Sequence, residues 1–458
     1  MRKLLKVVLF VVVLAAAWVA IVLSEWLPRP TQVQLDAVAL LEKEPDGIRG
    51  ERDAFPAMWF YKYDVPESEL EALMADDVKA WSARAAQTLN VTGFTSVAEG
   101  RYPLLPEPAS KDPLLCEPWG ADCLARVRAD VEASRAQLAK FAQRLQRGDR
   151  LDAYDHVRYR FRPRFDSPIA GPGNLFTLQL TAAALDYVDG KRDEAFARLC
   201  RNTATWRRFR THTDTLIIDM LAVAQMTGAA KLHAEMLAEQ PAGFAAPCPD
   251  VFAPMTDAEL DQCAVFRQEY LFLTNTLDDA IRHGSVSFDG TATTAAQRLF
   301  ARLVNRRHVV HVTAQSFARM CGAPQRERIA RRDPSPLPAL QGCSTLDRLV
   351  DPVGCEVFMI EVPAYDDYYK RVLDLDARLK LLATAVWLRA QPADGDRAAQ
   401  FATRPKTLDS AMHGMTIDTS AGLLRMNNLA PGRGAVWDIP YGAAAPAAVE
   451  TPAGAGTH

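Results

Sequence analysis

The side chains best suited to chemistry in this chain occur as short pairs. His308 and His311 are three residues apart and could share one face of a helix, where imidazoles can bind a metal ion. A metal site needs a third ligand, and the sequence contains no H-E-x-x-H pattern. We therefore interpret these residues as a hydrogen-bonded, partly buried histidine pair, and we assign no metal.

A second pair, His212 and Asp214, lies just before the apolar residues Leu216 to Ile218. A histidine beside an aspartate suggests hydrolytic chemistry, but the nucleophile would have to come from elsewhere, and no G-x-S-x-G motif supplies one. We expect instead that Thr213 or Asp214 caps the helix that begins here.

Asp366 and Asp367 form a third pair, with Glu356 and Glu361 upstream. Paired carboxylates can serve as general acid and base when their environments separate their pKa values. The two aspartates also stand where the helix that carries Val372 should begin, and acidic residues stabilise that end of a helix dipole. We therefore predict a capping role for them and assign no catalytic residue.

The eight cysteines allow a framework of disulfides. Cys116 and Cys123 flank a short loop and are the most plausible pair, and Cys343 with Cys355 is the next. Cys200 and Cys263 lie within helical patterns, where a buried reduced thiol is an equally good interpretation.

Several ligand classes find no support in the sequence. No C-x-x-C motif indicates a zinc ribbon or thioredoxin-like chemistry. No Gly-rich phosphate loop is present, because residues 171–174 contain a proline, follow no strand and are typical of a turn into a helix. A net charge of −3 and a pI near 6.3 argue against nucleic acid as the main partner. We predict no cofactor.

The amino-terminal segment predicts the cellular compartment of the protein. Arg2, Lys3 and Lys6 precede an uncharged apolar run from Val7 to Leu23, about 26 Å of helix, which is enough to span hydrocarbon. We predict a cytoplasmic segment (1–6), an anchor (7–24) in the bacterial inner membrane, and a periplasmic remainder. Trp26 would then lie at the interface. A cleaved signal peptide is the alternative.

Helical periodicity dominates the remainder, and its composition, with 49% hydrophobic and 24% charged residues, is that of a globular protein. Apolar stripes run through 127–145, 260–281 and 372–386, paired helices are predicted between 175 and 237, and Thr256 begins a capping box. We predict a mainly α fold, either an irregular helical bundle or a short α-solenoid of helix hairpins. A small C-terminal β-hairpin is expected over 415–426, with a further short strand at 436–439.

The chain after the anchor divides by composition. The predicted segments are an N-terminal helical and aromatic-rich part (30–115), a helical core (116–322), a Pro/Arg-rich surface loop (323–342), a C-terminal helix with the hairpin (343–441) and a disordered tail (442–458). The first contains a dense aromatic cluster, which either packs on the helical body or forms a binding groove: Phe55, Trp59, Phe60, Tyr61 and Tyr63.

Three stretches, 54–66, 116–128 and 377–382, resemble an uncharacterised family of proteobacterial envelope proteins with a single amino-terminal membrane helix. The resemblance covers most of the chain. It implies the bacterial envelope and carries no activity with it.

These observations favour a non-catalytic, membrane-anchored periplasmic protein that binds other envelope components, most plausibly a protein partner. One alternative is a periplasmic hydrolase whose site is assembled from dispersed residues, with Asp366, Asp367 and His311 as candidates. Another alternative is an immunity or inhibitor protein that guards against an envelope-acting toxin.

Overall fold

The computed structural model describes residues 2–23, 29–43, 48, 50–87, 93–120, 122–172, 174–283, 304–338, 340, 343–430, 432 and 434–442. Helix α1 (Arg2–Leu23) contains an 18-residue span, Lys3–Ala20, that is long and apolar enough to cross a membrane, a property that signal sequences share. Trp26, residues 443–458 of the expected tail, and the side chains of Glu356 and Glu361 lie outside the described residues.

The N-terminal part of the body consists of short helices. They are α2 (Gln32–Glu42), α3 (Phe55–Trp59), α4 (Leu70–Ala85), α5 (Cys123–Ala129), α6 (Val131–Lys140) and α7 (Ala142–Asp149). The stripe over 127–145 predicted one helix, and the structure divides it at Asp130 and Phe141. The Asp130 side chain accepts a hydrogen bond from the Ala133 N–H, and this local cap competes with continuation of the helix.

The predicted paired helices are confirmed in the centre of the chain. Helix α8 (Leu175–Val188) packs against α9 (Arg192–Thr211), and α9 packs against α10 (Leu216–Ala238). Gly190 has a φ of +84° in the turn between α8 and α9, a left-handed conformation that glycine adopts without a steric penalty. Residues 171–174 do lead into a helix, which begins at Leu175.

Helices α11 (Asp257–Leu260), α12 (Cys263–His283) and α13 (Arg306–Ala318) follow. The predicted capping box at Thr256 is present, but it begins only the four-residue α11, so the stripe over 260–281 belongs to two helices. The prediction of a surface loop over 323–342 is wrong in its first half, where α14 (Ala323–Arg331) forms. Pro324 lies in the first turn, where its missing N–H costs no hydrogen bond, and the buried Arg328 ties the helix to the core.

The C-terminal part contains α15 (Thr345–Val350), the long α16 (Pro352–Arg389), α17 (Arg397–Ala402) and a three-stranded antiparallel sheet. Its strands are β1 (Thr416–Asp418), β2 (Leu423–Asn427) and β3 (Val436–Pro440), in the order β1-β2-β3. The sheet therefore contains both the expected hairpin and the further strand.

Helix α10 lies at the centre of the body and is buried almost throughout, because it packs against α8, α9, α12 and α16. Helix α16 also contacts α13 and strands β2 and β3, and α2 packs against α13. The fold is thus mainly α, as predicted. Contacts that converge on one central helix are those of an irregular bundle, since the units of a solenoid contact only their sequence neighbours.

Four disulfides connect these elements, and the described residues include no free cysteine. The structure forms both predicted pairs, Cys116–Cys123 and Cys343–Cys355. The interpretation of Cys200 and Cys263 as reduced thiols is wrong, because they pair with Cys248 and Cys321 respectively. The partner cysteine lies 48 residues after Cys200 and 58 residues after Cys263. Only the tertiary fold brings the two cysteines of each pair together.

Candidate functional site

The histidine pair on α13 does not form a metal site. The His308 ring lies between two carboxylates, with Nδ1 2.9 Å from Asp351 and Nε2 3.4 Å from Asp347. The Nδ1 atom of His311 contacts the carbonyl oxygen of Arg307 at 2.6 Å instead. Within the described part of the chain, no group of three or more His, Cys, Asp or Glu side chains is placed to hold a metal ion.

His212 and Asp214 are also held apart by separate partners. The Nδ1 atom of His212 lies 3.0 Å from the carbonyl oxygen of Arg208, whereas the buried Asp214 carboxylate accepts the backbone N–H of Tyr159 at 2.9 Å. Burial raises the pKa of Asp214 to about 6. The predicted cap at Thr213 or Asp214 is wrong, because Thr215 accepts the Ile218 N–H and caps α10.

Asp366 and Asp367 do not cap a helix, because α16 begins at Pro352 and places both in its interior. Asp366 accepts a hydrogen bond from Arg328 at 2.8 Å, and Asp367 pairs with Lys370 at 3.0 Å. Their carboxylates are thus occupied by different cations and form no shared acid–base pair. The structure does not bring them into a common site with His311.

The structure also assembles a Ser–His–Asp arrangement that the sequence did not reveal. The Ser410 hydroxyl lies 2.7 Å from Nδ1 of His413, and Nε2 of His413 lies 3.1 Å from the buried carboxylate of Asp374. Asp374 also accepts the backbone N–H groups of Leu429 and Ala430, at 2.8 and 3.1 Å. The carboxylate therefore fastens the segment before β1 and the connection between β2 and β3 to α16.

The cavity with the strongest features of a binding site lies between α10, α12 and the segment before α8. It has a volume of about 140 Å³ and is lined mainly by apolar side chains: Phe55, Tyr159, Phe165, Ile169, Ala170, Thr215, Ile217, Ile218, Glu269 and Phe272. A second cavity of about 150 Å³ adjoins it and shares Ile169; its lining includes Met58, Trp59, Tyr63 and Phe94. We call the two cavities together the Ile169 groove.

Aromatic rings form the floor of the groove. The Phe55 ring packs edge-on against Tyr159 with centroids 5.4 Å apart, and Tyr159 contacts Phe272 at 5.1 Å. The N-terminal aromatic cluster packs on the helical body, which was one of its two predicted roles, because Phe55, Phe60 and Tyr61 are buried in the core. Phe55 and Trp59 also line the two cavities, and their role in a binding groove stays a prediction.

The rim of the groove is apolar and exposed to solvent. The exposed fractions of Phe165, Ile169 and Ile217 are 55, 51 and 40%. Apolar side chains scattered singly over a surface need no explanation, whereas these three lie around one cavity.

The segment that carries Phe165 and Ile169 is held rigidly. Arg164 is fully buried, donates to Asp166 and Asp279 at 2.8 Å each, and stacks over the Trp81 ring at 5.3 Å. Burial alone would raise the pKa of Asp279, but hydrogen bonds from Arg162 and Arg164 hold it below its usual value.

Hydrogen bonds fix the same segment directly. The Phe165 N–H donates to the Thr276 hydroxyl on α12 at 2.9 Å, and the Tyr159 hydroxyl donates to the carbonyl oxygen of Pro168 at 2.7 Å. The exposure of Phe165 and Ile169 is therefore a fixed feature of the fold.

Glu269 supplies the one carboxylate among the residues that line the first cavity. It lies on α12, and within the described residues no hydrogen bond or ion pair reaches its carboxylate. Burial among apolar side chains raises its pKa from 4.5 to about 7. The groove therefore presents a carboxyl group that is about half neutral at pH 7.

The sequence prediction missed Phe165, Ile169 and Glu269. One signal was available, since Pro163 and Pro168 bracket a short segment in which Arg164 and Asp166 flank an apolar residue. Nothing local relates this segment to Glu269, which lies a hundred residues later.

Comparison of the chain with protein-family models, curated proteins and solved structures finds no match. The geometry of the described residues is therefore the basis for the proposal that follows.

Proposed function

We propose that this protein is a membrane-anchored binding protein of the bacterial envelope that holds an apolar segment of a protein partner in the Ile169 groove. Its anchor is α1, and the basic residues before the apolar span favour a cytoplasmic amino terminus. The four disulfides support a periplasmic body, because such bonds persist in oxidising compartments.

The observation that carries this proposal is the rigid display of an apolar rim around a cavity. Leaving a phenylalanine side chain in water forgoes roughly 1.5–3 kcal/mol of burial free energy. Here the buried Arg164 and its two carboxylate partners hold Phe165 in that position. A preorganised apolar surface loses little conformational entropy when a partner covers it, so the arrangement favours binding.

Photo-crosslinking in cells of the native source tests the proposal. Benzoylphenylalanine would replace Phe165 or Ile217 at the rim, with Val436 as a control on the C-terminal sheet that is 51% exposed. We expect one partner to be captured from both rim positions and not from the control. Loss of the Phe165 adduct when Ile217 is changed to Ser would assign the capture to the groove. Adducts that are equal at Val436, or absent from the rim, would refute it.

An immunity or inhibitor protein is one form of this proposal, in which the captured partner is a toxin. Identification of the crosslinked protein distinguishes that form from a structural partner of the envelope.

A hydrolase is the second candidate function, and the arrangement of Ser410, His413 and Asp374 is the observation that favours it. The arrangement is weaker as a catalytic triad than as a structural contact, because the serine meets Nδ1, whereas catalytic triads use Nε2. Labelling with a fluorophosphonate probe tests it. Labelling that disappears in Ser410→Ala would establish a reactive serine, and we expect none.

A further inference from the structure

Two exposed leucines lie beside the outer end of the anchor helix. Leu346 and Leu349 are three residues apart on α15, and their exposed fractions are 49 and 59%. Val350, one turn after Leu346, is buried against the body, so the leucines lie at the outer edge of the packed side of α15. The leucines therefore form a small apolar face that the rest of the described chain leaves uncovered.

A direct contact fixes the position of this face relative to the anchor. Helix α15 packs against α1, and the indole N–H of Trp18 donates to the carbonyl oxygen of Leu349 at 2.7 Å. Trp18 lies five residues before Leu23, about 7 Å of helix from the end of α1. It falls in the outer part of the apolar run, which continues past the span Lys3–Ala20 to Leu23. Leu349 must share that depth.

The body holds α15 firmly in this place. The His308 ring of α13 contacts both Asp347, in the first turn of α15, and Asp351, directly after its last residue. Disulfide Cys343–Cys355 joins the chain just before α15 to the chain just after it. Because α15 is held on both sides, the exposed leucines cannot turn inward without breaking buried contacts.

The N-terminal turn of α2 is another exposed apolar segment, and it follows the anchor helix closely in the sequence. Helix α2 begins nine residues after α1 ends, and Val33 and Leu35 are 67 and 41% exposed. It packs through Ala37 and Leu41 against α13, the helix that also holds α15. Arg348, next to Leu349 in the chain, is also exposed and supplies a positive charge suited to a lipid phosphate.

We propose that α15, with the first turn of α2, forms a second membrane contact, in which Leu346 and Leu349 insert into the outer leaflet of the bilayer that α1 crosses. The inference rests on the membrane anchoring in the proposed function and goes beyond it, because it sets the orientation of the body. A single flexible tether would leave the body free to rotate above the membrane. Two contacts that include an interfacial helix hold it in one orientation.

The test uses the full-length protein in nanodiscs of phosphatidylethanolamine and phosphatidylglycerol. Benzoylphenylalanine replaces Leu346 or Leu349, Phe10 of α1 serves as the positive control, and Val436 serves as the exposed control. Mass spectrometry after irradiation is expected to find lipid adducts with the probe at positions 10, 346 and 349. No adduct is expected with the probe at position 436. Each probe occupies an exposed position, so the variants should retain the fold.

Adducts at Phe10 but not at Leu346 or Leu349 would overturn the inference and leave the anchor intact. Absence at Phe10 as well would overturn both. Crosslinks from α15 to a second copy of the chain in place of lipid, or lipid adducts at Val436 equal to those at Leu349, would also overturn it.

Discussion

Glu269 should weaken the fold progressively as the pH rises, and Glu269→Gln should remove that effect. The carboxyl has a pKa of 4.5 in an unfolded chain and about 7 in the native groove. An acid whose pKa is raised by folding stabilises the native state fully below its unfolded pKa, and that contribution is lost as the pH rises through the folded value. The difference corresponds to roughly 3 kcal/mol.

The assay is chemical denaturation of the detergent-solubilised protein with its disulfides intact, followed by circular dichroism at several values between pH 4 and pH 8. Asp214 and Glu235, whose pKa values burial also raises, titrate in the same range, so the informative quantity is the difference between wild type and Glu269→Gln. We expect the free energy of unfolding of the wild type, relative to the variant, to fall by about 2–3 kcal/mol between pH 4.5 and pH 8.

A matched control is Glu327→Gln, since the Glu327 side chain is 69% exposed and its weak ion pair with Arg331 is on the surface. Its difference from wild type should stay within roughly 0.5 kcal/mol at every pH. A flat difference for Glu269→Gln across the range would refute the reasoning, because it would mean that the carboxylate is solvated or paired in the native groove.

Three further outcomes are expected. Phe165→Ser should change the free energy of unfolding by about 0.5 kcal/mol or less yet abolish crosslinking from Ile217, whereas Phe161→Ser, in the core, should destabilise strongly by calorimetry. Arg164→Met should cost about 3 kcal/mol, because it removes the buried cation that joins Asp166 to Asp279, although Asp279 keeps its ion pair with Arg162; a much smaller loss would contradict the rigid display of Phe165. Replacing both cysteines of a disulfide by serine should lower the free energy of unfolding by about 3 kcal/mol for Cys343–Cys355 and by about 4 kcal/mol for Cys200–Cys248, because the second disulfide closes a longer loop. Equal losses for the two pairs in chemical denaturation would count against this ranking.

Local features of the chain were predicted well from the sequence. The apolar amino-terminal helix, the paired helices, the capping box at Thr256 and the C-terminal hairpin depend on residues within one or two turns of each other. The disulfides Cys116–Cys123 and Cys343–Cys355 belong to the same class, since separations of 7 and 12 residues make the entropic cost of bringing the partners together small.

The errors arose where a distant contact outweighed a local preference. The segment at 323–331 has the prolines and arginines of a loop, yet Arg328 finds the Asp366 carboxylate and the Tyr369 ring, and a helix forms. Asp366 and Asp367 resemble helix-capping residues, but the helix begins earlier, and cations from α14 and from the next turn neutralise them.

The sequence by itself determined that this is a mainly helical protein with one apolar amino-terminal helix long enough to cross a membrane, because hydrophobic periodicity and a basic, then apolar, amino terminus are local properties. Only the tertiary structure decided the candidate site. Its residues are spread over more than two hundred positions of the chain, and no local sequence pattern marks them: Phe55, Phe165, Ile217 and Glu269. Their chemistry arises from packing, since the removal of water around Glu269 raises its pKa and a buried arginine holds Phe165 outward.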